Sequence, residues 1–237
     1  MILHTRTETL NIFYKTLRVL ITPLLLISIC AACGAQEKKK IAYGILLDNT
    51  GSMRSQFETV KAIAKAVARQ IHNHGAVSLI DFASGGQFRE ARAIPTPRIE
   101  RTQDQQLLEQ TIDNLYVEGG QTTLLDAIQF LAERLGQQSS DTPDRVIILI
   151  TDGEERSSAV KQKQLIEKLK EQKIRVYAIG LVQQLDSESG FTHPSRRSKA
   201  IELLKDLTNG TGGRAVFPKS DRDDLQRLLT ELAIPVD

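Results

Sequence analysis

Two aspartates stand where aliphatic runs stop, and both are surrounded by hydroxyl residues. The run 41–47 (IAYGILL) ends in Asp48-Asn49-Thr50-Gly51-Ser52, and the run 146–150 (VIILI) ends in Thr151-Asp152-Gly153. Between them lies a third polar stretch, Gly119-Gly120-Gln121-Thr122-Thr123-Leu124. If the three loops meet, Asp48, Thr50, Ser52, Thr122 and Asp152 offer two carboxylates and three hydroxyls. All are hard oxygen donors with no His or Cys among them. That chemistry suits Mg²⁺, with Mn²⁺ or Ca²⁺ as alternatives, and disfavours zinc. Thr123 replaces Thr122 in the set if Gln121 shifts the register. Taken singly, each residue has a simpler reading. Asp48, Ser52, Thr122 and Asp152 are all types that cap helices. Glu154 and Glu155 would make the site more acidic, or, on the plainer reading, act as first-turn charges that favour a helix dipole. His72 and His74 are two apart, not the i, i+4 spacing of a helical metal pair, and His193 has no partner in the sequence.

These loops need elements to bring them together, and the hydrophobic pattern supplies them. Residues 41–47 form a nearly continuous apolar run, as in a strand buried on both faces. Val60, Ile63, Ala64, Val67 and Ile71 follow at helical spacing. Residues 76–82 and 88–94 read as two more strands around the turn Ser84-Gly85-Gly86, the second alternating and therefore placed at a sheet edge. Leu107, Leu108, Thr111, Ile112 and Leu115 mark one helix, and Leu124, Ile128, Leu131 and Leu135 the next. Then come strand 146–150, a helix through Leu165, Ile166 and Leu169, strand 176–179, and a polar insertion over 183–197. A helix through Ile201 and Leu204, a strand at 215–217 and a helix carrying Leu225, Leu228, Leu229 and Leu232 close the pattern. Alternating strands and helices predict an α/β fold: a doubly wound, mainly parallel sheet with helices on both faces and one antiparallel edge strand. In such folds ligands bind at the carboxyl ends of the strands, where all three polar loops fall.

In that order and at those strand ends, the residues resemble the metal-ion-dependent adhesion site of von Willebrand factor A domains. Asp48, Thr50 and Ser52 match the Asp-x-Ser-x-Ser motif, with Thr50 in place of the usual serine; the exchange keeps the hydroxyl. Residues 122–128 resemble the Thr-x-Leu-Tyr-Asp-Ala-Leu stretch that places Thr122. Asp152 matches the final aspartate. The resemblance covers essentially residues 41–232. It implies that Ser52, Thr50 and Thr122 contact the metal directly or nearly so, while Asp48 and Asp152 act largely through water. It also implies a protein partner that supplies an Asp or Glu carboxylate to the metal.

The N-terminus reads as an export signal. A cationic stretch to Arg18 precedes an apolar run over 19–32, shorter than the roughly 20 residues that span a bilayer. It ends in Cys30-Ala31-Ala32-Cys33-Gly34, and small residues before Cys33 resemble a bacterial lipobox, although Cys30 departs from the usual leucine. The expected organisation is a signal segment over 1–33 with Cys33 lipidated, a linker over 34–40 containing Lys38, Lys39 and Lys40, and one domain over 41–237. The chain would then face the periplasm or the exterior from a bacterial envelope membrane. An uncleaved anchor, or ordinary cleavage near Ala32, is the alternative. Both cysteines lie in the leader, so the domain needs no disulfide.

Bulk composition narrows the function classes. With 237 residues and 41% hydrophobic content, the chain can bury one sizeable core. Setting aside Arg6, Lys15, Arg18 and Glu8 of the leader balances the remaining basic and acidic residues. A near-neutral domain gives no electrostatic basis for nucleic-acid binding. The expectation is a non-enzymatic, metal-dependent protein-binding domain, with a metal-independent envelope scaffold as the alternative. A Mg²⁺-dependent phosphatase-like hydrolase ranks below both, because Thr50 stands where those enzymes need a second aspartate. No Gly-x-x-x-x-Gly-Lys loop, Gly-x-Ser-x-Gly elbow or cysteine nucleophile supports other enzyme classes.

Overall fold

The computed structural model describes residues 41–83, 94–120, 122–137, 144–186, 194–219 and 225–236. The leader, Cys30 and Cys33, the turn at 84–86, Gln121 and His193 lie outside the described residues.

Strands β1 (Ile41–Asp48), β2 (Gly75–Ala83), β3 (Ile94–Thr102), β4 (Asp144–Thr151), β5 (Ile174–Gly180) and β6 (Ala215–Val216) build one sheet in the order β3-β2-β1-β4-β5-β6. All neighbours pair in parallel except β2 with β3. The doubly wound sheet with one antiparallel edge strand is therefore as expected, but the edge strand lies further along the chain. The alternating pattern places it at 88–94, whereas β3 begins at Ile94, and residues 88–93 lie outside the described part. Pro95 and Pro97 hide this strand from a propensity reading. They are tolerated because an edge strand leaves half of its backbone N–H groups without a ladder partner.

The helices are α1 (Phe57–Ile71), α2 (Gln105–Asp113), α3 (Leu124–Gln137), α4 (Gln162–Glu171), α5 (Arg196–Thr211) and α6 (Leu225–Leu232). Successive side chains of the buried strands point to opposite faces. Tyr43, Ile45 and Leu47 of β1, with Ile148 and Ile150 of β4, pack against Val60, Ile63 and Val67 of α1, Leu108 of α2 and Leu232 of α6. Ala42, Leu46, Ile147 and Leu149 face the other way, onto Ile128 and Leu131 of α3, Leu165 of α4 and Leu204 of α5. Each fully buried Leu or Ile contributes roughly 1.5–3 kcal/mol, so the two clusters anchor the strands firmly.

The chain order fixes where a ligand can sit. From β1 the chain winds outward through β2 to β3, then returns across β1 to lay β4 on its other side. The crossovers after β1 and β4 therefore diverge, opening a crevice at the carboxyl ends of these two strands. Leu47 pairs with Ile150, which brings Asp48 opposite Thr151, one residue before Asp152.

Candidate metal centre

Asp48 is fully buried at the end of β1, and all its hydrogen-bond donors are local or cross-strand. Its Oδ1 accepts from the Thr50 amide at 3.1 Å and the Thr50 hydroxyl at 2.6 Å. Its Oδ2 accepts from the Thr151 hydroxyl at 2.6 Å. The Thr50 and Ser52 hydroxyls are 3.1 Å apart, held by the 3₁₀ turn Gly51–Gln56. Neither aspartate caps a helix. Each bonds the backbone amide two residues on, Asp48 to Thr50 and Asp152 to Glu154 at 2.9 Å, in the Asx-turn geometry that shapes loops.

Asp152 is buried as well, and its Oδ2 has no hydrogen-bond partner among the described residues. The same holds for the buried hydroxyl of Thr123. Thr122 is equally buried, and its carbonyl accepts from the Arg156 amide at 3.1 Å. Both threonines therefore stand as candidate donors, tied by this bond to the loop that follows Asp152, with the orphaned hydroxyl on Thr123. Among the described residues no three His, Cys, Asp or Glu side chains gather as a metal-binding group, so a metal here depends on hydroxyl donors. Buried oxygens that lack partners are costly unless something satisfies them, and a hard cation does so. The donor set fits such an ion.

The electrostatics point the same way. Burial, then the neighbouring Asp152 charge, pushes the Asp48 carboxyl up to about 7, against the opposing hydrogen bonds from Thr151 and Thr50. Asp152 is also raised, chiefly by burial, while the Ser52 hydroxyl and the Glu154 amide pull it down. Two carboxylates held out of water near each other favour a shared positive charge.

Several residues that hold these loops are not evident from the sequence. Asn49, between Asp48 and Thr50, donates through Nδ2 to Asp81 Oδ2 at 2.8 Å. Asp81 is a buried carboxylate near the end of β2, clasped by Arg98 of β3 through two bonds of 2.8 Å. Arg98 also binds Glu118 at 2.7 Å, and the Glu118 amide donates to the Asn49 carbonyl at 3.0 Å. This closed circuit ties the first loop to the one that carries Gly119 and Thr122. The signal in the sequence is Asp81, a lone carboxylate in a mostly apolar strand.

Glu154 and Glu155 do not open a helix, since none begins before Gln162. Glu155 instead accepts from the Leu125 amide at 3.1 Å and from Ser158, which satisfies the first turn of α3. Asp126 of α3 returns the contact by accepting from the amides of Ala159 and Val160. Glu154 pairs with Arg156 and with Arg196. His72 lies at the opposite edge of the sheet, just before β2, where its ring reaches the Gln103 carbonyl at 3.3 Å.

Known proteins place this architecture in context. An aerotolerance-related membrane protein from Bacteroides fragilis superposes with a TM-score of 0.59 at 17% identity, over 81% of this chain and 98% of that one. A von Willebrand factor type A structure from Catenulispora acidiphila gives 0.60 at 15%, over 82% of this chain and 42% of that one. The pilus adhesin SpaC from Lactobacillus rhamnosus GG gives 0.60 at 17%, over 83% of this chain and 30% of that one. A search of curated proteins by sequence found no match. Identities this low speak for the fold alone. The sequence model of one family, however, matches residues 44–231, from inside β1 to the last turn of α6. With that span and the sheet order in agreement, the chain belongs to the von Willebrand factor type A domain family.

Proposed function

We propose that this domain binds a divalent cation, Mg²⁺ first among the candidates, through Asp48, Thr50, Ser52, Asp152 and a threonine of the 122–123 pair. We further propose that it uses the ion to hold an Asp or Glu carboxylate of a protein partner. The observation that carries this is the buried, unpartnered Oδ2 of Asp152 beside a second buried carboxylate at the strand switch point. The cation would supply positive charge that neither aspartate nor the hydroxyls can. The chain's own residues orient one another around the ion. No catalytic step is assigned, since Thr50 stands where a phosphatase-like site needs an aspartate. The measurement is capture of envelope proteins by the full chain in Mg²⁺ or in EDTA. Asp152→Ala should weaken Mg²⁺ binding by about tenfold or more and abolish capture with the domain still folded. Capture that persists in EDTA and in the variant would leave a metal-independent scaffold.

The setting we propose is a bacterial envelope membrane, reached through lipidation of Cys33. The small residues before Cys33 support this, and one structural relative is described as a membrane protein and another as a pilus adhesin. Cys33→Ser should release the protein from the membrane fraction and change its mature mass. Unchanged retention and mass would refute lipidation.

A further inference from the structure

A cavity of about 510 Å³ begins at Gly153, the residue after Asp152, and runs to the first turns of α5. Glu154, Arg156, Arg196, Lys199 and Leu203 line it. Its charge is uneven. Glu154 is the acid at its floor, with a side chain only 7% exposed, and it is shared by Arg156 and Arg196. Those two guanidinium side chains are 52% and 54% exposed, so most of each still faces water. Lys199, also exposed, adds a third cation one turn along the helix from Arg196. Glu155 at the rim brings a second negative charge, which leaves three cations against two carboxylates. Its carboxylate is consumed by the Leu125 amide and by the amide and hydroxyl of Ser158, at the positive end of the α3 dipole. Arg196, Lys199, Ala200 and Leu203 follow at helical spacing, so one face of α5 runs along the cavity.

We propose that this cavity is a second anchor for the protein partner, taking an acidic side chain that lies within a few residues of the one held at the cation. The inference rests on the metal-dependent reading above. A chain that places one carboxylate on the cation beside Asp152 can continue past Gly153, the residue that begins this cavity. An extended peptide advances roughly 3.3–3.6 Å per residue, so on that route side chains a few residues on come to the part of the cavity that Arg156 and Arg196 line. Arginine offers a planar pair of N–H donors that matches a carboxylate, and two arginines share one acid here, which leaves donors unspent. Leu203 and Ala200 provide an apolar wall for the aliphatic stem of a Glu or Asp. A free phosphate would use the cations and leave that wall bare. The partner is therefore an acidic segment of a protein, with at least two carboxylates close in sequence.

A phage-displayed library of short random peptides built around one fixed aspartate tests this on the full chain. Selection is run in Mg²⁺, in EDTA, and in Mg²⁺ with the Arg196→Gln/Lys199→Gln double variant. These residues lie outside the proposed cation ligands, and the melting temperature of the variant checks its fold. Mg²⁺-dependent clones should be enriched in a second Asp or Glu within a few positions of the fixed one. Individual diacidic clones should bind about tenfold tighter than their Glu→Gln or Asp→Asn counterparts at that second position. In the double variant the enrichment should vanish while Mg²⁺-dependent selection of the fixed aspartate remains. Mg²⁺-dependent clones without a second acid, or with one that the variant selects equally well, overturn the second anchor and leave the cation reading standing. Selection indifferent to EDTA overturns both.

Discussion

At the scale of single residues, the centre divides into groups that would touch a cation and groups that only aim them. Asp81 belongs to the second kind. It is 1% exposed and sits two strands from β4, yet it receives the Asn49 amide and both arms of Arg98. Burial raises its carboxyl while the Arg98 bonds pull it down, so its charge depends on that arginine. Asp81→Asn should cost about 1–3 kcal/mol, the usual penalty for leaving buried donors and acceptors mismatched. It should also weaken Mg²⁺ binding, because Asn49 is flanked by Asp48 and Thr50 and loses its anchor. Calorimetric titration alongside thermal melting separates the two effects. A lowered melting temperature with unchanged Mg²⁺ affinity would confine Asp81 to holding the sheet. The five proposed ligands are visible in the sequence because strand ends and a known motif mark them. The Asn49–Asp81–Arg98–Glu118 circuit is not, since a hydrogen bond between residues 32 apart leaves no periodic trace.

At the scale of elements, legibility follows the physics of burial. Strands β1, β4 and β5 are covered on both faces, so they must be continuous apolar runs, and such runs are conspicuous. Helices α1, α3 and α4 present apolar stripes at 3.6-residue spacing for the same reason. The edge strand has no such constraint. With one side unpaired, β3 admits Pro95 and Pro97 and carries Arg98, Glu100 and Arg101. These residues blunt an exposed edge against further pairing and also erase the usual signature of a strand. The role of the acidic pair after Asp152 is hidden for a related cause. A first-turn charge and a carboxylate that reaches across to another helix look alike in sequence. Only the fold shows that Glu155 satisfies α3 while Asp126 satisfies the loop that Glu155 belongs to. This reciprocal clasp fixes the 152–160 loop beside the threonines, so the third part of the centre is positioned by α3 rather than by a helix of its own.

At the scale of the whole molecule, the centre links stability to both pH and metal. Asp48 ordinarily titrates near 3.8 and is pushed up to about 7 in the fold. Between those values the folded chain holds a proton that the unfolded chain has lost, so stability falls as pH rises. Below about 3.8 the stabilisation from the protonated form is fully present, and above about 7 it is gone. Asp152 is raised too and adds to the same slope. The metal-free chain should therefore melt at progressively lower temperature from about pH 4 to pH 7, with each lost kcal/mol lowering the midpoint by roughly 2–4 °C. Mg²⁺ competes with that proton, so its affinity should rise over the same interval and its binding should stabilise the fold in proportion. In saturating Mg²⁺ the melting temperature should then flatten or rise where the EDTA curve descends. Asp48→Asn removes the charge at every pH; it should make the EDTA curve shallower, leaving only the share of Asp152, and abolish the Mg²⁺ effect together. Melting scans across pH in EDTA and in Mg²⁺, for the natural chain and this variant, give four curves. If the Mg²⁺ and EDTA curves of the natural chain coincide at pH 8, the buried carboxylates hold no cation, and their repulsion is met in some other way.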